Sequence, residues 1–280
     1  MRQRRSNCTS LRLTVSAALD ERTVLARPDL AELGLEGIVR AKAYRPLSAM
    51  HATVGVLDIH DGVDPATATR VDQLLFGEAF DVLDRDGDRV WGRARRDGTV
   101  GWVNRWALAS GAPLATQRVA SVSAVLPLNA LVHHQWSGVA PEDLSPIGEF
   151  ESDPVAVAER MLGVPHALGA RSSSLTDCSG LVQQTLYACG RAGPRHSDRQ
   201  AELGRAVDRA DLQRGDLVIW LAPAGETGFT GHSALALDAE ALIHATGHHG
   251  AVVTEPLAEA EIRYAEGGFQ PPVFRRLDAF

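Results

Sequence analysis

Apolar and polar positions follow two different rhythms along the chain. Between about residues 50 and 110, short runs rich in strand-formers (Val71–Phe76, Ala79–Leu83, Arg89–Arg95 and Thr99–Val103) are divided by Gly77-Glu78, Asp86-Gly87 and Asp97-Gly98. Asp-Gly is a strong hairpin-turn signal, and short strands at this spacing predict a small barrel. Beyond residue 150 the period lengthens. Val155, Ala158, Met161 and Leu162 share one helix face within Asp153–Leu162, with Pro154 at the first position and Gly163 at the end. A second helix is predicted from Cys178, where small or apolar residues recur at 181, 182, 185, 186 and 189 before Gly190. Strands are expected at Asp216–Leu221, His232–Leu237, Ala241–Thr246, Ala251–Thr254 and Pro272–Leu277. Helices followed by a run of strands predict an α+β domain on an antiparallel sheet.

The remaining segments are less patterned. Residues 1–48 form a loop-rich lead-in with one short helix expected around Asp29–Leu33. Residues 111–149 carry strand candidates at Arg118–Leu126 and Ala130–His134, then a Pro-containing exit through Pro141 and Pro146, and predict a second, shortened barrel unit. The expected division is therefore 1–48, 49–110, 111–149 and 150–280.

Composition narrows the function classes. With 45% apolar and 22% charged residues, the 280-residue chain is ordinary for a globular protein. A net charge of −7 argues against nucleic acid as a partner. Three cysteines (Cys8, Cys178 and Cys189) give no disulfide framework, which fits a reducing compartment or simply a protein that needs no staples. No run approaches the ~18 apolar residues of a membrane span. Arg2, Arg4 and Arg5 precede Leu11–Leu19, but Arg12 interrupts that stretch, and Cys8 lacks the apolar run of a lipoprotein signal. The expected location is cytoplasmic, with export to the cell envelope as the alternative. His133-His134 has no further ligand at zinc spacing and reads as a solvated loop pair; neither a metal nor a cofactor is expected.

The chemistry centres on Cys178. Asp177 stands where a helix N-cap belongs, which puts Cys178 at the first helical position. Unpaired N–H groups and the helix dipole favour a thiolate there, so a lowered thiol pKa is expected. A buried structural cysteine is the competing reading. A thiol nucleophile needs a base, and the base needs a group to hold its ring. His232 and His244 lie on consecutive predicted strands around Asp238-Ala239-Glu240. A loop centred on Asp238 would set them directly opposite, whereas a two-residue Ala239-Glu240 turn would put them on opposite faces. The pair therefore requires an odd-length loop or a bulge. Taken singly, each histidine reads as a surface or core residue.

Five segments then occur in order: Asp177-Cys178-Ser179-Gly180-Leu181-Val182-Gln183, Arg195-His196-Ser197-Asp198-Arg199-Gln200, Gly215-Asp216-Leu217-Val218-Ile219-Trp220, Gly231-His232-Ser233-Ala234 and Leu242-Ile243-His244-Ala245. Together they resemble the NlpC/P60 family of cell-wall cysteine peptidases over residues 150–280. Upstream, Asp97-Gly98-Thr99-Val100-Gly101-Trp102-Val103 resembles the bacterial SH3-like domain, in which Trp91, Trp102 and Trp106 line either a ligand groove or the barrel core. The resemblance implies an α+β, papain-like catalytic domain preceded by small all-β SH3-like barrels. It implies Cys178 as nucleophile, His232 as general base and His244 as the residue orienting it. The implied substrate is a peptidoglycan stem peptide or released muropeptide, cut between γ-D-glutamate and a diamino acid such as diaminopimelate through a thioester. Asp177, Ser179, Arg195 and Ser197 match stem-binding positions, Arg195 suiting a free α-carboxylate.

Two departures stand out. Pro165-His166-Ala167-Leu168-Gly169-Ala170 replaces the family's Pro-Tyr-x-Trp-Gly-Gly, so His166 takes the place of a tyrosine that assists the oxyanion. His196 replaces an Asp common before Ser197. Two alternatives stay open: a catalytically weakened cell-wall peptide-binding protein, and an amidase or acyltransferase using the same three residues.

Overall fold

The computed structural model describes residues 19–133, 138–226 and 230–278. The N-terminal arginines, Cys8 and His134 lie outside the described residues.

The lead-in is tied down rather than free. In place of the helix expected at Asp29–Leu33, two-residue strands β1 (Ala31–Glu32) and β2 (Tyr44–Arg45) pair in parallel, and a 3-10 turn covers Leu33–Leu35. Leu25 and Leu30 pack on Leu83 and Trp91, and the Arg27 guanidinium sits 4.3 Å over the Trp91 ring. The tryptophans therefore divide: Trp91 is core, whereas Trp106 is 66% exposed.

A seven-stranded antiparallel sheet follows. It comprises β3 (Ser48–Ala52), β4 (Val56–His60), β5 (Arg70–Leu75), β6 (Ala79–Asp86), β7 (Arg89–Ala94), β8 (Val100–Asn104) and β9 (Leu108–Ser110), in the order β5-β4-β8-β7-β6-β3-β9. Ile59, Leu74, Phe80 and Val103 fill its centre. The turns fall at Asp86-Gly87 and Asp97-Gly98 as the sequence predicts, while β3 and β4 carried no strong signal.

Residues 117–146 add β10 (Gln117–Val119), β11 (Leu131–Val132) and β12 (Leu144–Pro146), a three-stranded antiparallel sheet. The expected strand Arg118–Leu126 stops at Val119, because the chain folds into a serine turn where Ser121 Oγ accepts from the Ser123 N–H. Val119, Leu126 and Val132 share their core with Leu75 of β5. Among the described residues, this segment shares its core with the first barrel.

The C-terminal unit is a six-stranded antiparallel sheet covered on both faces. Its helices are α1 (Pro154–Glu159), α2 (Cys178–Ala188), α3 (Ser197–Gln200) and α4 (Leu257–Glu266). Its strands are β13 (Arg205–Ala206), β14 (Leu217–Leu221), β15 (Gly231–Ala236), β16 (Ala241–Thr246), β17 (Ala251–Pro256) and β18 (Val273–Arg276), in the order β13-β18-β14-β15-β16-β17. Alternation along each strand splits the core: Leu217, Ile219, Leu235 and Ile243 face α1 and α2, while Val218, Trp220, Ala234 and Leu242 face α4. Helix α4 escaped the sequence reading, although Leu257, Ala260 and Tyr264 recur at helical spacing and are its buried residues.

Helix α2 is buried on every side, polar residues included. Gln183 donates to Asp97 Oδ2 at 3.0 Å, and Asn129 donates to Gln184 Oε1 at 2.8 Å, so the barrel and the small sheet wall off what would have been its wet face. The same interface buries charge. Arg171, fully buried, donates through Nε to Asp72 Oδ1 at 3.0 Å and through Nη1 to Glu78 Oε1 at 3.2 Å. Both carboxylates belong to the barrel. A buried cation is tolerated only when paired in this way, so the two units are held in one arrangement.

Candidate active site

The site is built where α2 begins. Asp177 is the N-cap: its Oδ1 accepts from the Gly180 N–H at 2.7 Å and its Oδ2 from the Gly169 N–H at 2.8 Å. This satisfies one orphan donor of the helix and pins the preceding loop. Glycine is needed at 180, since a Cβ there would lie 2.3 Å from the Ala170 carbonyl oxygen. Cys178 therefore occupies the first helical position, as expected.

The thiol does not behave as expected. Burial pushes the Cys178 pKa up to about 11, the Asp177 carboxylate pushes the same way, and N–H groups at Ser233 and Ser179 only partly oppose them. The sequence reading anticipated a lowered value from the helix terminus. Desolvation of the sulfur, with an anionic cap beside it, outweighs the dipole. Sγ lies 4.0 Å from the Gly231 carbonyl oxygen, so its hydrogen bond goes to the strand backbone beside His232 and not to the imidazole. Gly231, at φ +145°, is required by packing: a Cβ would come 2.3 Å from the Trp220 carbonyl oxygen.

His232 and His244 meet. The β15–β16 ladder pairs Leu235 with Ile243 and Ala236 with Leu242, which makes Asp238-Ala239-Glu240 a three-residue loop. Continued, this register puts His232 and His244 on the same face as diagonal neighbours, neither directly opposite nor on opposite faces. His232 Nε2 is 2.8 Å from His244 Nδ1, and the rings meet edge to face at 4.9 Å. Tyr264 of α4 stacks on His232 at 4.5 Å between ring centroids. Burial holds the His232 pKa well below its usual value, reinforced by the charges of His244 and Arg263. Burial also lowers His244, against the pull of Glu255.

Glu255 completes the row. Its Oε1 is 3.1 Å from His244 Nε2, and Arg263 donates to the same carboxylate, including Nη1 to Oε2 at 3.0 Å. Burial works against ionisation of Glu255, but His244 and Arg263 outweigh it and hold its pKa well below the carboxylate range. The 3.1 Å approach is not an aligned hydrogen bond, but the charge of the ionised carboxylate favours the tautomer of neutral His244 that carries its proton on Nε2. Its Nδ1 is then an acceptor, His232 Nε2 must be the donor, and His232 Nδ1 is left with a free lone pair. The row ending in a carboxylate thus sets a base at His232. Glu255, Arg263 and Tyr264 were not singled out in the sequence; the signal available was Glu255 on the next strand, two residues beyond Val253, which pairs with His244, and so on the same face as His244.

The expected stem-binding residues are placed differently. Arg195 is 4% exposed, and its guanidinium is engaged by Asp177 (Nη1 to Oδ1, 3.0 Å; Nη2 to Oδ2, 2.6 Å), by Ser179 Oγ (2.9 Å) and by Asp72 Oδ1 (2.7 Å from Nε). Its charge therefore already faces two buried carboxylates, Asp177 and Asp72, in the described structure. Asp177 and Ser179 belong to the same closed network. Ser197 is buried at the first position of α3. His166 is half-buried, donates its backbone N–H to the Gly250 carbonyl at 2.8 Å, and is close enough that its charge bears on His232. Burial lowers the His166 pKa. His196, also desolvated and beside Arg195, is pushed down to about 4 and is neutral at pH 7.

A buried thiol at a helix start thus lies against the strand that carries His232, on an antiparallel sheet with helices on both faces. Residues 163–265 match the NlpC/P60 family, and residues 63–108 match the bacterial dipeptidyl-peptidase SH3 domain. The chain therefore carries an NlpC/P60 domain preceded by a bacterial SH3 domain. It is 32% identical over 111 residues to a probable endopeptidase of Corynebacterium glutamicum, covering 39% of this chain and 47% of that protein. It is 25% identical over 232 residues to a γ-D-glutamyl-L-lysine dipeptidyl-peptidase of Bacillus subtilis, covering 68% of this chain and 78% of that protein. A crystal structure of an NlpC/P60 family protein from Bacillus cereus shares the fold, with a TM-score of 0.68 at 18% identity over 82% of this chain and 99% of that one. The chain spans about half the length of the first curated relatives it matches.

Proposed function

We propose that this protein is a cysteine peptidase that hydrolyses peptidoglycan stem peptides at the amide between γ-D-glutamate and a diamino acid. The observation that carries this reading is the 2.8 Å His232–His244 contact, backed by Glu255, beside the helix that begins at Cys178. A binding protein has no use for a base whose lone pair is set by a buried carboxylate. The relatives named above as an endopeptidase and a γ-D-glutamyl-L-lysine dipeptidyl-peptidase support the substrate class.

In this proposal the resting pair is neutral. As the substrate carbonyl reaches Sγ, the thiol proton passes to His232 and the sulfur attacks, forming a tetrahedral intermediate. Its oxyanion is met by N–H groups of the first turn of α2, which have no intrahelical acceptors, with His166 as a second donor. His232 then gives its proton to the leaving amine as the C–N bond breaks. Water, deprotonated by the same histidine, cleaves the thioester to release the γ-carboxylate and restore the thiol. His244 and Glu255 are positioning residues that touch no reacting atom. Asp177, Ser179 and Arg195 hold Cys178 in place, and Ser197 borders the stem-binding side. The proposed location is cytoplasmic, with released muropeptides as substrate.

Mass spectrometry of L-Ala-γ-D-Glu-diaminopimelate after incubation, with and without an added amine, tests the reading. Release of L-Ala-D-Glu and diaminopimelate is expected in both. An amide of the added amine would indicate an acyltransferase, and intact peptide bound to folded protein would indicate a binder.

A further inference from the structure

A cavity of about 430 Å³ opens at the other end of α2 from Cys178, between the barrel, the small three-stranded sheet and the end of the helix. Tyr187 lines it, about 14 Å from Cys178 at 1.5 Å of helix per residue, so it is distinct from the site above. In a chain of net charge −7 its wall carries four arginines, Arg95, Arg96, Arg118 and Arg191, against one carboxylate, Glu78. Arg95 is paired with Asp81, and Arg96 with Glu78. Arg118 is different. It is 3% exposed, it donates only to the Glu149 backbone oxygen, its Nη1 has no acceptor, and no described carboxylate lies within ion-pair distance. Glu151 acts on it only from beyond ion-pair distance, and burial pushes its pKa down; a guanidinium buried without a direct ion pair is costly, and a ligand anion reduces that cost. Apolar surface stands beside it: Phe150, 48% exposed, has the Arg118 guanidinium 5.8 Å over its ring, and Ile147 is 46% exposed.

We infer that this cavity binds a small anion with an aromatic or apolar body, its carboxylate or phosphate paired with Arg118 and its body against Phe150 and Ile147. The guanidinium fork matches either oxyanion, and the open ring face supplies the apolar contact. This inference does not depend on the activity proposed for Cys178.

Calorimetric titration of the full chain with phenylphosphate, benzoate, inorganic phosphate and benzyl alcohol tests it. Phenylphosphate or benzoate is expected to bind with a Kd of about 0.1–1 mM, the range open to so small a ligand. The tighter of the two tells phosphate from carboxylate. Inorganic phosphate should bind about tenfold more weakly, benzyl alcohol should not bind, and Arg118→Met should abolish anion binding. Because Arg118 also supports Glu149, Phe150→Ala serves as a second variant at an exposed position. It should weaken phenylphosphate about tenfold and leave inorganic phosphate unchanged. Equal binding by wild type and a folded Arg118→Met, inorganic phosphate matching phenylphosphate, or no saturable binding below about 10 mM would each overturn the assignment.

Discussion

His244 Nε2 lies 3.1 Å from Glu255 Oε1, and the carboxylate's charge favours the tautomers that leave Nδ1 of His232 free to take a proton. Replacing Glu255 by glutamine keeps the size but lets an amide N–H face His244, which permits the opposite tautomer along the whole row. Misassigning the tautomer behind a catalytic histidine costs up to about 10⁴ in kcat. For Glu255→Gln, kcat is expected to fall by at least about 10² with KM little changed, since the substrate touches neither residue. Steady-state kinetics on the stem tripeptide checks this; an unchanged kcat would remove Glu255 from the row.

Acid should destabilise the fold in two stages. His232 and His244 have folded pKa values below 6.5, so the unfolded chain binds more protons and stability falls as pH drops below about 6.5. Glu255 is also depressed, from an ordinary value of 4.5, so its contribution is full above that and is lost as pH falls further. Denaturant midpoints should be nearly level from pH 8 to about 7 and decline from about pH 6.5 to pH 4, and His244→Asn should flatten the upper part of that decline.

The two described thiols should react slowly and unequally. Burial pushes Cys178 up to about 11 and Cys189 up to about 12, so both are protonated thiols at neutral pH and Cys178 ionises first as pH rises. Iodoacetamide labelling mapped by peptide should favour Cys178 and accelerate steeply toward pH 10. Fast labelling at pH 6 would mean the thiolate that the sequence alone suggested.

The organisation of the chain was legible where local chemistry dictates it. Asp-Gly turns, the Asp177 cap and the Gly231 strand start each carry their own signal, and the order of the five segments fixed the family. What the sequence concealed depends on packing. The polar residues of α2, Gln183 and Gln184, resemble a solvated face but are buried by the barrel. Arg195 resembles a surface receptor for carboxylate but is closed off by Asp72, a residue far upstream. The raised Cys178 pKa follows from burial by the same neighbours, which no local pattern records.

That interface predicts how the units unfold. Removing one member of a buried ion pair typically costs about 3–5 kcal/mol, because its partner is left uncompensated. Arg171→Met leaves Asp72 to Arg195 and Glu78 to Arg96, and should lower stability by about 3 kcal/mol, the lower end of that range, with barrel and NlpC/P60 domain unfolding together. A 150–280 fragment would strand Arg171 and take Asp72 from Arg195, and should not fold stably. Two independent transitions in the full chain would contradict this coupling.

His166 stands at the edge of the site, near enough that its protonated form would bear on His232, and burial lowers its pKa and so favours the neutral ring. A neutral imidazole donates from one nitrogen only, whereas a tyrosine hydroxyl is a donor up to pH ~10. His166→Tyr should therefore raise kcat with little change in KM. No gain in a folded variant would mean that the oxyanion is met by the helix N–H groups alone.

The central claim is that Cys178 forms the covalent intermediate. Acid-quenching the protein during turnover of L-Ala-γ-D-Glu-diaminopimelate, followed by peptide mapping, measures this directly. The account predicts an L-Ala-D-Glu acyl adduct on the peptide containing Cys178, absent from Cys178→Ala, which should also release no diaminopimelate. Cleavage persisting in Cys178→Ala, or an adduct on any other residue, would contradict it.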